Sequence, residues 1–483
     1  MEAATAEPQA ELKVAWHDPK RYLWLLGLIV PLIPFIAWAL VAITGLGVFW
    51  WFGPFLVFAV IPFFDQAIGK DSANPPDSAI KWLEQDRYYR WCIFLFLPLQ
   101  LASLIFACAW WASGELSFVE SLGLAVSVAM VSGIAINTAH ELGHKTKIAE
   151  RWLSKLALAQ SGYGHFFIEH NRGHHVRVAT PEDPASSRLG ESFWAFLPRT
   201  VSGSLRSALH LERVRLDRVG KGFWSIDNDI LNAWAMTVVL FAALCLGFGI
   251  EVLPWLLVQA VVGFSLLEVV NYLEHYGLRR QWNEGKGRYE LCRPEHSWNS
   301  NNIASNVFLY HLQRHSDHHA NPVRRYQALR HFDDLPELPS GYATMIVLAY
   351  ATPLWRRIMD PKVVAHYGGD VSRANLQPRK REKLIAKWGE HATAATHPAP
   401  SPEIDPVQPS VDEGRSHGAG HCAGADAYRC PGCGYTYVVA DGAPREGFPA
   451  GTPWSELPAG WACPDCGVRE ARDFEPATTV TAR

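Results

Sequence analysis

Nine histidines grouped in four short clusters are the strongest chemical signal in this 483-residue chain. The clusters read HELGH, EHNRGHH, NYLEHYG and LQRHSDHH, and their histidines are His140, His144, His170, His174, His175, His275, His315, His318 and His319. Residues three or four apart share one face of a helix, so three of the clusters can each direct two or three imidazoles at one point. One catalytic zinc takes three protein ligands, so nine imidazoles indicate two transition-metal ions. Imidazole suits iron, zinc and copper.

Carboxylates close to the clusters are candidates for holding the imidazole rings in position. They are Glu141, Glu169, Glu274, Asp183 and Asp317. Neighbouring residues in a helix point in different directions, so we expect these groups to accept a ring N–H rather than to bind metal. His165 and His311 lie near the clusters but outside the motif positions, and we expect supporting or structural roles for them.

The HELGH cluster also matches the H-E-x-x-H signature of zinc proteases, in which the glutamate acts as the base. The extended form of that signature needs glycine at position 147 and histidine at 150, where this chain has Lys147 and Glu150. A protease would also leave the other seven clustered histidines without a role. The sequence therefore disfavours a zinc intramembrane protease.

Six apolar stretches are long enough to cross a bilayer, which requires about 20 residues. They lie near 22–44, 46–64, 91–113, 117–138, 231–250 and 252–272. The 65–90 loop and the N-terminal segment carry Lys and Arg, whereas the short connections near 45, 114–116 and 250–251 carry neither. The positive-inside rule then places both termini and all four histidine clusters in the cytoplasm. A net charge of −3 gives no indication of nucleic-acid binding.

Two CPxCG knuckles near the C-terminus contain Cys430, Cys433, Cys463 and Cys466, which can offer four thiolates in a tetrahedron. That spacing alone allows zinc or iron. The GTPWSELP segment and the surrounding aromatic residues closely resemble rubredoxin, a small one-iron electron carrier. These aromatic residues are Tyr428, Tyr435, Tyr437, Trp454, Trp461 and Phe474. Residues 391–425, which are rich in Pro, Ala and Ser, are typical of a flexible linker.

The extended histidine motifs resemble those of membrane alkane 1-monooxygenases over roughly residues 20–385; they read HELGH, EHNRGHHVRVATPEDPAS, NYLEHYGL and LQRHSDHHANP. The resemblance implies a di-iron centre bound by the nine clustered histidines, in addition to the one iron of the rubredoxin. It also implies O2-dependent hydroxylation of medium-chain n-alkanes to 1-alkanols, with electrons delivered by the fused rubredoxin. No dinucleotide-binding fingerprint is visible, so a separate NAD(P)H-dependent flavin reductase is the expected partner.

The sequence thus predicts an α-helical integral membrane protein of the bacterial cytoplasmic membrane. Its predicted parts are six transmembrane helices, a cytoplasmic histidine-rich helical cap and a small rubredoxin-like β domain. The predicted boundaries are 1–390 for the membrane domain, 391–425 for the linker, 426–475 for the rubredoxin and 476–483 for a tail. The alkane, dissolved in membrane lipid, is expected to enter between the spans through a blind channel lined by aromatic residues.

Two alternatives stand beside the protease. A fatty-acyl desaturase or hydroxylase of the same membrane di-iron superfamily typically has one HxxxH and two HxxHH boxes, whereas the second cluster here is HxxxHH. A non-catalytic electron-transfer or metal-binding membrane protein would have no use for nine clustered imidazoles. Both alternatives fit the motifs less well than the alkane family does.

Net charge differs in sign between the loop region after the fourth span and the rubredoxin domain. Residues 145–228 carry 13 Lys and Arg against 8 Asp and Glu, whereas residues 426–475 carry 4 Arg against 8 acidic residues. We therefore hypothesise that opposite charge helps to dock the rubredoxin over the di-iron site.

Overall fold

Six helices in the computed structural model, which describes residues 16–389 and 425–477, are long and apolar enough to cross a membrane. They are Leu23–Thr44, Gly47–Ile68, Arg87–Ser113, Phe118–Gly143, Asp229–Phe248 and Ile250–His275. The six predicted spans are confirmed, and the fourth and sixth extend further at their histidine-bearing ends. A helix of 26 residues is about 39 Å long, against about 30 Å of hydrocarbon. Their last turns therefore lie beyond the apolar layer.

The first three spans are irregular, because prolines within them remove backbone N–H donors. A 3₁₀ stretch begins the first span, and a π turn, Leu56–Val60, interrupts the second. The segments of these spans are, in order, Leu23–Leu32, Ile33–Thr44, Gly47–Trp51, Phe52–Phe55, Leu56–Val60, Ile61–Ile68, Arg87–Phe94 and Phe96–Ser113.

The fourth span forms the centre of the bundle, since 78% of its apolar stretch is buried, against 17% for the fifth span. It crosses the sixth span at two glycines: a Cβ on Gly133 would lie 2.9 Å from the carbonyl oxygen of Gly263. Beside this crossing, Ser132 donates a hydrogen bond of 2.6 Å to the side-chain oxygen of Gln259. Small residues let helices approach closely in lipid, and this contact brings the histidine-bearing ends of both helices together.

The loops on the histidine-bearing side fold into a cap of helices. The cap helices are Asp77–Gln85, Ile148–Ala159, Phe166–Ile168, Glu169–His174, His175–Arg177, Phe193–Arg218, Ile303–Phe308, His315–Ala320, Tyr342–Tyr350, Thr352–His366 and Arg381–Gly389. A short antiparallel hairpin joins β1 (Trp282–Asn283) to β2 (Arg288–Tyr289). All nine clustered histidines are buried beneath this cap.

The C-terminal domain contains a small antiparallel sheet, as predicted for a rubredoxin. Its strands are β3 (Ala427–Arg429), β4 (Thr436–Val438) and β5 (Glu475–Ala477), in the order β4–β3–β5. The rings of Tyr428 and Trp454 stack with their centroids 4.2 Å apart in its aromatic core. Residues 391–424 of the predicted linker and 478–483 of the predicted tail lie outside the described residues, so the four domain boundaries stay predictions.

Candidate functional site

Five histidines bring their Nε2 atoms together beneath the cap. This five-histidine group consists of His140, His144, His170, His175 and His318. Its Nε2 atoms form a chain of contacts from His144 to His170 (3.0 Å), His175 (3.0 Å), His318 (3.2 Å) and His140 (2.8 Å). Two metal–imidazole bonds of about 2.1 Å at right angles place their nitrogens about 3 Å apart, which matches these distances.

Hydrogen bonding alone does not account for this chain of contacts. A ring nitrogen either donates one hydrogen or accepts one, so five Nε2 atoms in a chain form at most two hydrogen bonds. The other contacts would leave buried ring nitrogens close together without a hydrogen bond, which is costly. A cation between the rings removes the conflict, because every lone pair can then point at it. The donor set therefore fits a transition-metal ion.

A second group of histidines lies directly beside the first. This four-histidine group consists of His174, His275, His315 and His319. The Nε2 atoms of His315 and His319 are 2.8 Å apart, while Nε2 of His174 is buried without a hydrogen-bond partner among the described residues. The rings of His319 and His175 have centroids 4.5 Å apart. Together the two groups contain all nine predicted histidines and fit two neighbouring ions.

A π-helical turn at Glu169–His174 lets the second cluster serve both groups. Hydrogen bonds from i to i+5 bring residues five apart onto one face, so His170 and His175 share the five-histidine group, whereas His174 joins the other. The cluster thus directs two imidazoles at one point, as predicted, but the pair is His170 and His175 and not the α-helical neighbours His170 and His174. Gly173 lies against the Glu169 carboxylate in this turn, so a larger residue at position 173 would force that side chain to move.

The short helix His315–Ala320 divides its histidines in the same way, with His318 in the five-histidine group. Asn299 holds this helix: its side-chain oxygen accepts a hydrogen bond of 2.9 Å from the Ser316 amide, and its side-chain nitrogen donates to the Ser316 hydroxyl. Asn299 was not among the predicted site residues, since a polar residue in a loop has no distinctive spacing. The sequence signal that could have identified Asn299 is the run of serines and asparagines around it, SWNSNN.

Two of the five predicted carboxylates contact a clustered histidine. Asp183 Oδ2 lies 2.9 Å from Nδ1 of His174, which leaves Nε2 of that ring free for a metal. Although burial by itself would raise it, the pKa of Asp183 is lowered because His174 stabilises the carboxylate. Glu274 lies 3.2 Å from Nε2 of His315, and Tyr342 donates a hydrogen bond of 2.9 Å to its other oxygen. Tyr342 was not among the predicted site residues.

The other three carboxylates pair with basic side chains, so the expectation that they hold imidazoles is wrong. The ion pairs are Glu141–Lys145 at 3.0 Å, Glu169–Arg177 at 3.0 Å and Asp317–Arg324 at 2.7 Å. Glu141, which a zinc protease would use as its base, is thus committed to a neighbouring lysine. His165 and His311 lie outside both histidine groups, and Nδ1 of His311 is 3.0 Å from the Tyr326 carbonyl oxygen.

Burial keeps the clustered cap histidines uncharged. Removal from water, followed by the repulsion of neighbouring rings, lowers the pKa of these groups well below the ordinary value. The residues so affected are His144, His170, His175, His315, His318 and His319. A neutral imidazole has the lone pair that metal binding requires.

The four cysteines also form a metal-binding geometry, with Sγ–Sγ distances of 3.8 Å for Cys430–Cys466 and 3.5 Å for Cys433–Cys463. A tetrahedron with metal–sulfur bonds of about 2.3 Å has edges of about 3.8 Å. In each knuckle the last glycine, Gly434 or Gly467, has a positive φ and donates its N–H to the carbonyl oxygen of the first cysteine. Such a φ favours glycine.

The C-terminal domain lies against the cap, beside the five-histidine group. We call residues 430–434 the first knuckle and residues 463–467 the second knuckle. A Cβ on Gly467 would lie 2.7 Å from the Asn171 carbonyl oxygen and 3.4 Å from the His175 Cβ. The ion pairs across the interface are Arg151–Asp465, Arg172–Glu446, Arg288–Glu470, Arg288–Asp473 and Arg445–Asp229, at 3.5, 2.9, 3.2, 2.8 and 3.3 Å. Four of the five set a basic cap residue against an acidic residue of the C-terminal domain.

A cavity of about 40 Å³ lies between the second, fourth and sixth spans. It is lined by Val57, Ile61, Gly133, Ile134, Asn137, Leu266, Leu267, Val270, Ser305, Phe308, Leu309, Leu312, Ala343 and Ile346. Its two polar side chains already have partners: Asn137 donates to the Leu309 carbonyl oxygen, and Ser305 bonds to Asp65. Phe308 is the one aromatic residue in this lining, and the aromatic-lined channel stays a prediction.

Comparison with known proteins identifies the family. A profile described as Fatty acid desaturase matches residues 117–349, and one described as Rubredoxin matches residues 427–474. The alkane 1-monooxygenase of Acinetobacter baylyi is 48% identical over 383 residues, which cover 77% of this chain and 92% of that relative. The chain belongs to the alkane 1-monooxygenase family.

Further relatives agree with this assignment. Alkane 1-monooxygenase 1 of Alcanivorax borkumensis is 47% identical over 375 residues, covering 77% of this chain and 92% of the relative. The xylene/toluene monooxygenase hydroxylase component of Pseudomonas putida is 25% identical over 304 residues, 61% of this chain and 78% of its own length. This alkane monooxygenase is thus an integral membrane enzyme with a histidine-rich di-iron site and one rubredoxin iron. The acyl desaturase alternative is set aside.

Proposed function

We propose that this enzyme hydroxylates the terminal methyl group of medium-chain n-alkanes, using electrons delivered by its fused rubredoxin. The balanced reaction is RH + O2 + 2 electrons + 2 protons, giving ROH + H2O. The five-histidine group would hold one iron and the four-histidine group the other, through ring nitrogens of the nine imidazoles. When bound, the two irons supply the dioxygen chemistry that attacks an unactivated C–H bond.

The observation that carries this proposal is the contact between the second knuckle of the rubredoxin and the cap. Gly467 lies between the iron-binding Cys466 and the surface formed by Asn171 and His175. His175 belongs to the five-histidine group, so a short run of covalent bonds and one van der Waals contact link the two metal sites. Four cysteines without a substrate pocket of their own suit an electron supplier.

The charges across the interface support docking in this orientation. Arg288 pairs with both Glu470 and Asp473, with side chains that are at most 23% exposed. Arg445 is paired the opposite way, with Asp229, which also binds Lys155 at 2.6 Å. A mixed pattern of this kind disfavours rotated docking, because a rotation would bring like charges together.

The cavity between the spans supports an alkane as substrate. Its lining is apolar apart from Asn137 and Ser305, and both of those side chains already have hydrogen-bond partners. An alkane that arrives from lipid has already left water, so the free energy of moving it into an apolar cavity depends little on its chain length. We infer that the length of the cavity selects medium chains. Leu266 precedes His275 by nine residues, about 14 Å of helix.

The cavity wall also holds the substrate in register with the metal site. Asn137 precedes His140 by three residues, so the cavity reaches within about one helical turn of the five-histidine group. An extended chain in this space presents its end rather than its middle. The apolar wall excludes water from the reacting carbon, and the fixed spans limit the poses the chain can adopt.

We further propose that the enzyme lies in the bacterial inner membrane, surrounded by lipid, with both termini, the cap and the rubredoxin in the cytoplasm. The Lys and Arg residues of the 65–90 loop support this orientation. The cytoplasm also supplies NAD(P)H, which a separate flavin-containing reductase would use to reduce the rubredoxin. A reporter that is active only in the periplasm should work when it is inserted at residue 115 and fail at the C-terminus.

The deciding experiment follows oxygen atoms and electrons together. Membranes with the full chain, a rubredoxin reductase and NADH are given n-octane under heavy-isotope dioxygen, alongside His315→Ala and Cys466→Ser variants. The wild-type chain should yield labelled 1-octanol, and both variants should yield none. Labelled alcohol from Cys466→Ser at the wild-type rate would mean that electrons bypass the rubredoxin. Untouched alkane together with a new double bond in acyl lipid would overturn the substrate assignment.

A further inference from the structure

The two knuckles of the docked rubredoxin have different surroundings. In the second knuckle Cys463, Cys466 and Gly467 are buried, and Asp465 pairs with Arg151 of the cap. In the first knuckle Pro431 is exposed, and the other positions include the half-buried Gly432, Cys433 and Gly434. Within residues 16–389 and 425–477, no hydrogen bond or ion pair joins the first knuckle to the membrane domain.

The exposure of the thiols follows the same division. Cys433 is half-buried, whereas the other three iron-binding cysteines are buried. The closest side-chain atoms around the first knuckle belong to the same domain: Arg469 approaches Gly432, and Arg429 approaches Gly434, at 3.3 Å from an ideal Cβ in each case. The docked domain therefore keeps one face of its iron site open.

The stoichiometry of the reaction gives this open face a use. Each alkane consumes two electrons, whereas the rubredoxin iron stores one, so that iron must be reduced twice for every product. If electrons entered through the second knuckle, the domain would have to leave the cap and break its ion pairs each time. An open first knuckle lets the iron be refilled while the second knuckle stays in place.

We propose that the reductase docks on the first knuckle and reduces the rubredoxin in place, with electrons arriving near Cys433 and leaving through the second knuckle toward His175. This inference rests on the proposed electron delivery by the fused rubredoxin. Reduced flavin in the partner gives one electron at a time, ferric rubredoxin iron becomes ferrous, and the electron passes on to the di-iron site. One NAD(P)H and one proton supply the two electrons and two protons that the reaction consumes.

The chemistry of the first knuckle describes the partner surface. Its tip is small and uncharged, formed by Pro431 and two glycines, and its rim carries the guanidinium groups of Arg429 and Arg469. The partner should therefore present an uncharged patch at its flavin edge with acidic residues around it. Such a contact belongs with transient redox interfaces, which bury less than about 1,200 Å².

The first test compares two exposed prolines of the same domain, Pro431→Glu and the control Pro458→Glu, each in the full chain. Loss of ferric rubredoxin absorbance is followed without oxygen after mixing with NADH-reduced reductase. Pro431→Glu should slow this reduction about tenfold, since a like charge now faces the acidic partner surface, while Pro458→Glu should not. Equal rates for both variants would overturn the proposal.

The second test fixes the rubredoxin in its docked position. Arg288→Cys and Asp473→Cys replace an ion pair of 2.8 Å, and a short bismaleimide bridges the two thiols. The bridged protein should be reduced by the reductase within about twofold of the unbridged rate, since its uptake face stays open. A bridged protein that dithionite reduces but the reductase does not would mean that the domain must undock.

A third measurement separates this inference from the proposed function. Rubredoxin reduced beforehand is mixed with n-octane and dioxygen, and the return of ferric absorbance is timed. If the wild-type chain fails to discharge its electron, the proposed delivery fails and takes this inference with it. If discharge is normal in Pro431→Glu while its reduction is slow, electron uptake and electron delivery use different knuckles.

Discussion

Gly467 faces His175 across the interface between the two domains, and a Cβ on Gly467 would lie 3.4 Å from the Cβ of His175. The same Cβ would lie 2.7 Å from the carbonyl oxygen of Asn171, closer than non-bonded atoms normally approach. The second knuckle can therefore dock here only if position 467 is glycine. Because Nε2 of His175 lies 3.0 Å from Nε2 of His170, this contact sets the cysteine site directly against the histidine site.

A methyl group at this contact should interrupt electron transfer between the domains. We predict that Gly467→Ala slows the discharge of pre-reduced rubredoxin about tenfold, because the knuckle must move away from the cap. Gly434→Ala is the matched control: both glycines have positive φ values, so both variants carry the same backbone strain, but only Gly467 meets the cap. Timed reoxidation with n-octane and dioxygen is the measurement, and equal slowing in both variants would contradict the prediction.

Reversing one charge at the interface should weaken docking. Arg288→Glu removes two ion pairs and adds repulsion toward Glu470 and Asp473. Partly exposed pairs contribute about 0.2–1 kcal/mol each, so we expect turnover to fall about fivefold to tenfold. Arg293→Glu serves as control, since within residues 16–389 and 425–477 the ion pair of Arg293 is with Glu295 of its own loop.

The same interface should respond to salt. Because screening shortens the reach of charges to about 8–10 Å at 0.10–0.15 M salt, wild-type turnover should decline as salt rises. Turnover of Arg288→Glu should depend on salt less steeply. NADH oxidation coupled to 1-octanol formation measures both, and a flat salt response of the wild-type enzyme argues against electrostatic docking.

Loss of the Asp183 carboxylate should loosen one ligand without disrupting the fold. Asp183→Asn replaces a charged acceptor at His174 Nδ1, 2.9 Å away, with an amide that can also donate. We predict that iron affinity of the four-histidine group falls about 10–100-fold. Iron per chain after dialysis against a weak chelator should drop from three toward two. The exposed neighbour Glu182, changed to Gln, should keep all three.

The depth of the cavity should set the preferred chain length. Leu266→Trp shortens the cavity and should shift the preference toward shorter alkanes, whereas Leu266→Ala should extend it toward longer ones. Val261→Trp on the same helix is the control, because Val261 is 52% exposed and faces outward. The measurement is a competition among n-alkanes in one vial, in which the ratio of the alcohols formed gives the preferred chain length. If all three variants give the wild-type ratio, Leu266 does not set the chain length.

The sequence by itself determined the parts of this protein that depend on local signals. Length and hydropathy defined six spans, since a bilayer demands about 20 apolar residues whatever the fold. The residue types in the HELGH and CPxCG motifs indicated which atoms can bind metal, because imidazole and thiolate chemistry does not depend on topology. The opposite net charges of residues 145–228 and 426–475 also indicated that the rubredoxin docks on the cap.

Only the tertiary structure decided how those parts combine. The division of nine histidines into five and four depends on the π turn at Glu169–His174, which α-helical spacing does not predict. The partners of Glu141 and Glu169 depend on nearby basic side chains that compete with imidazole for each carboxylate. The cavity and the seat of Gly467 arise between residues far apart in the chain, and local residue patterns carry no information about such contacts.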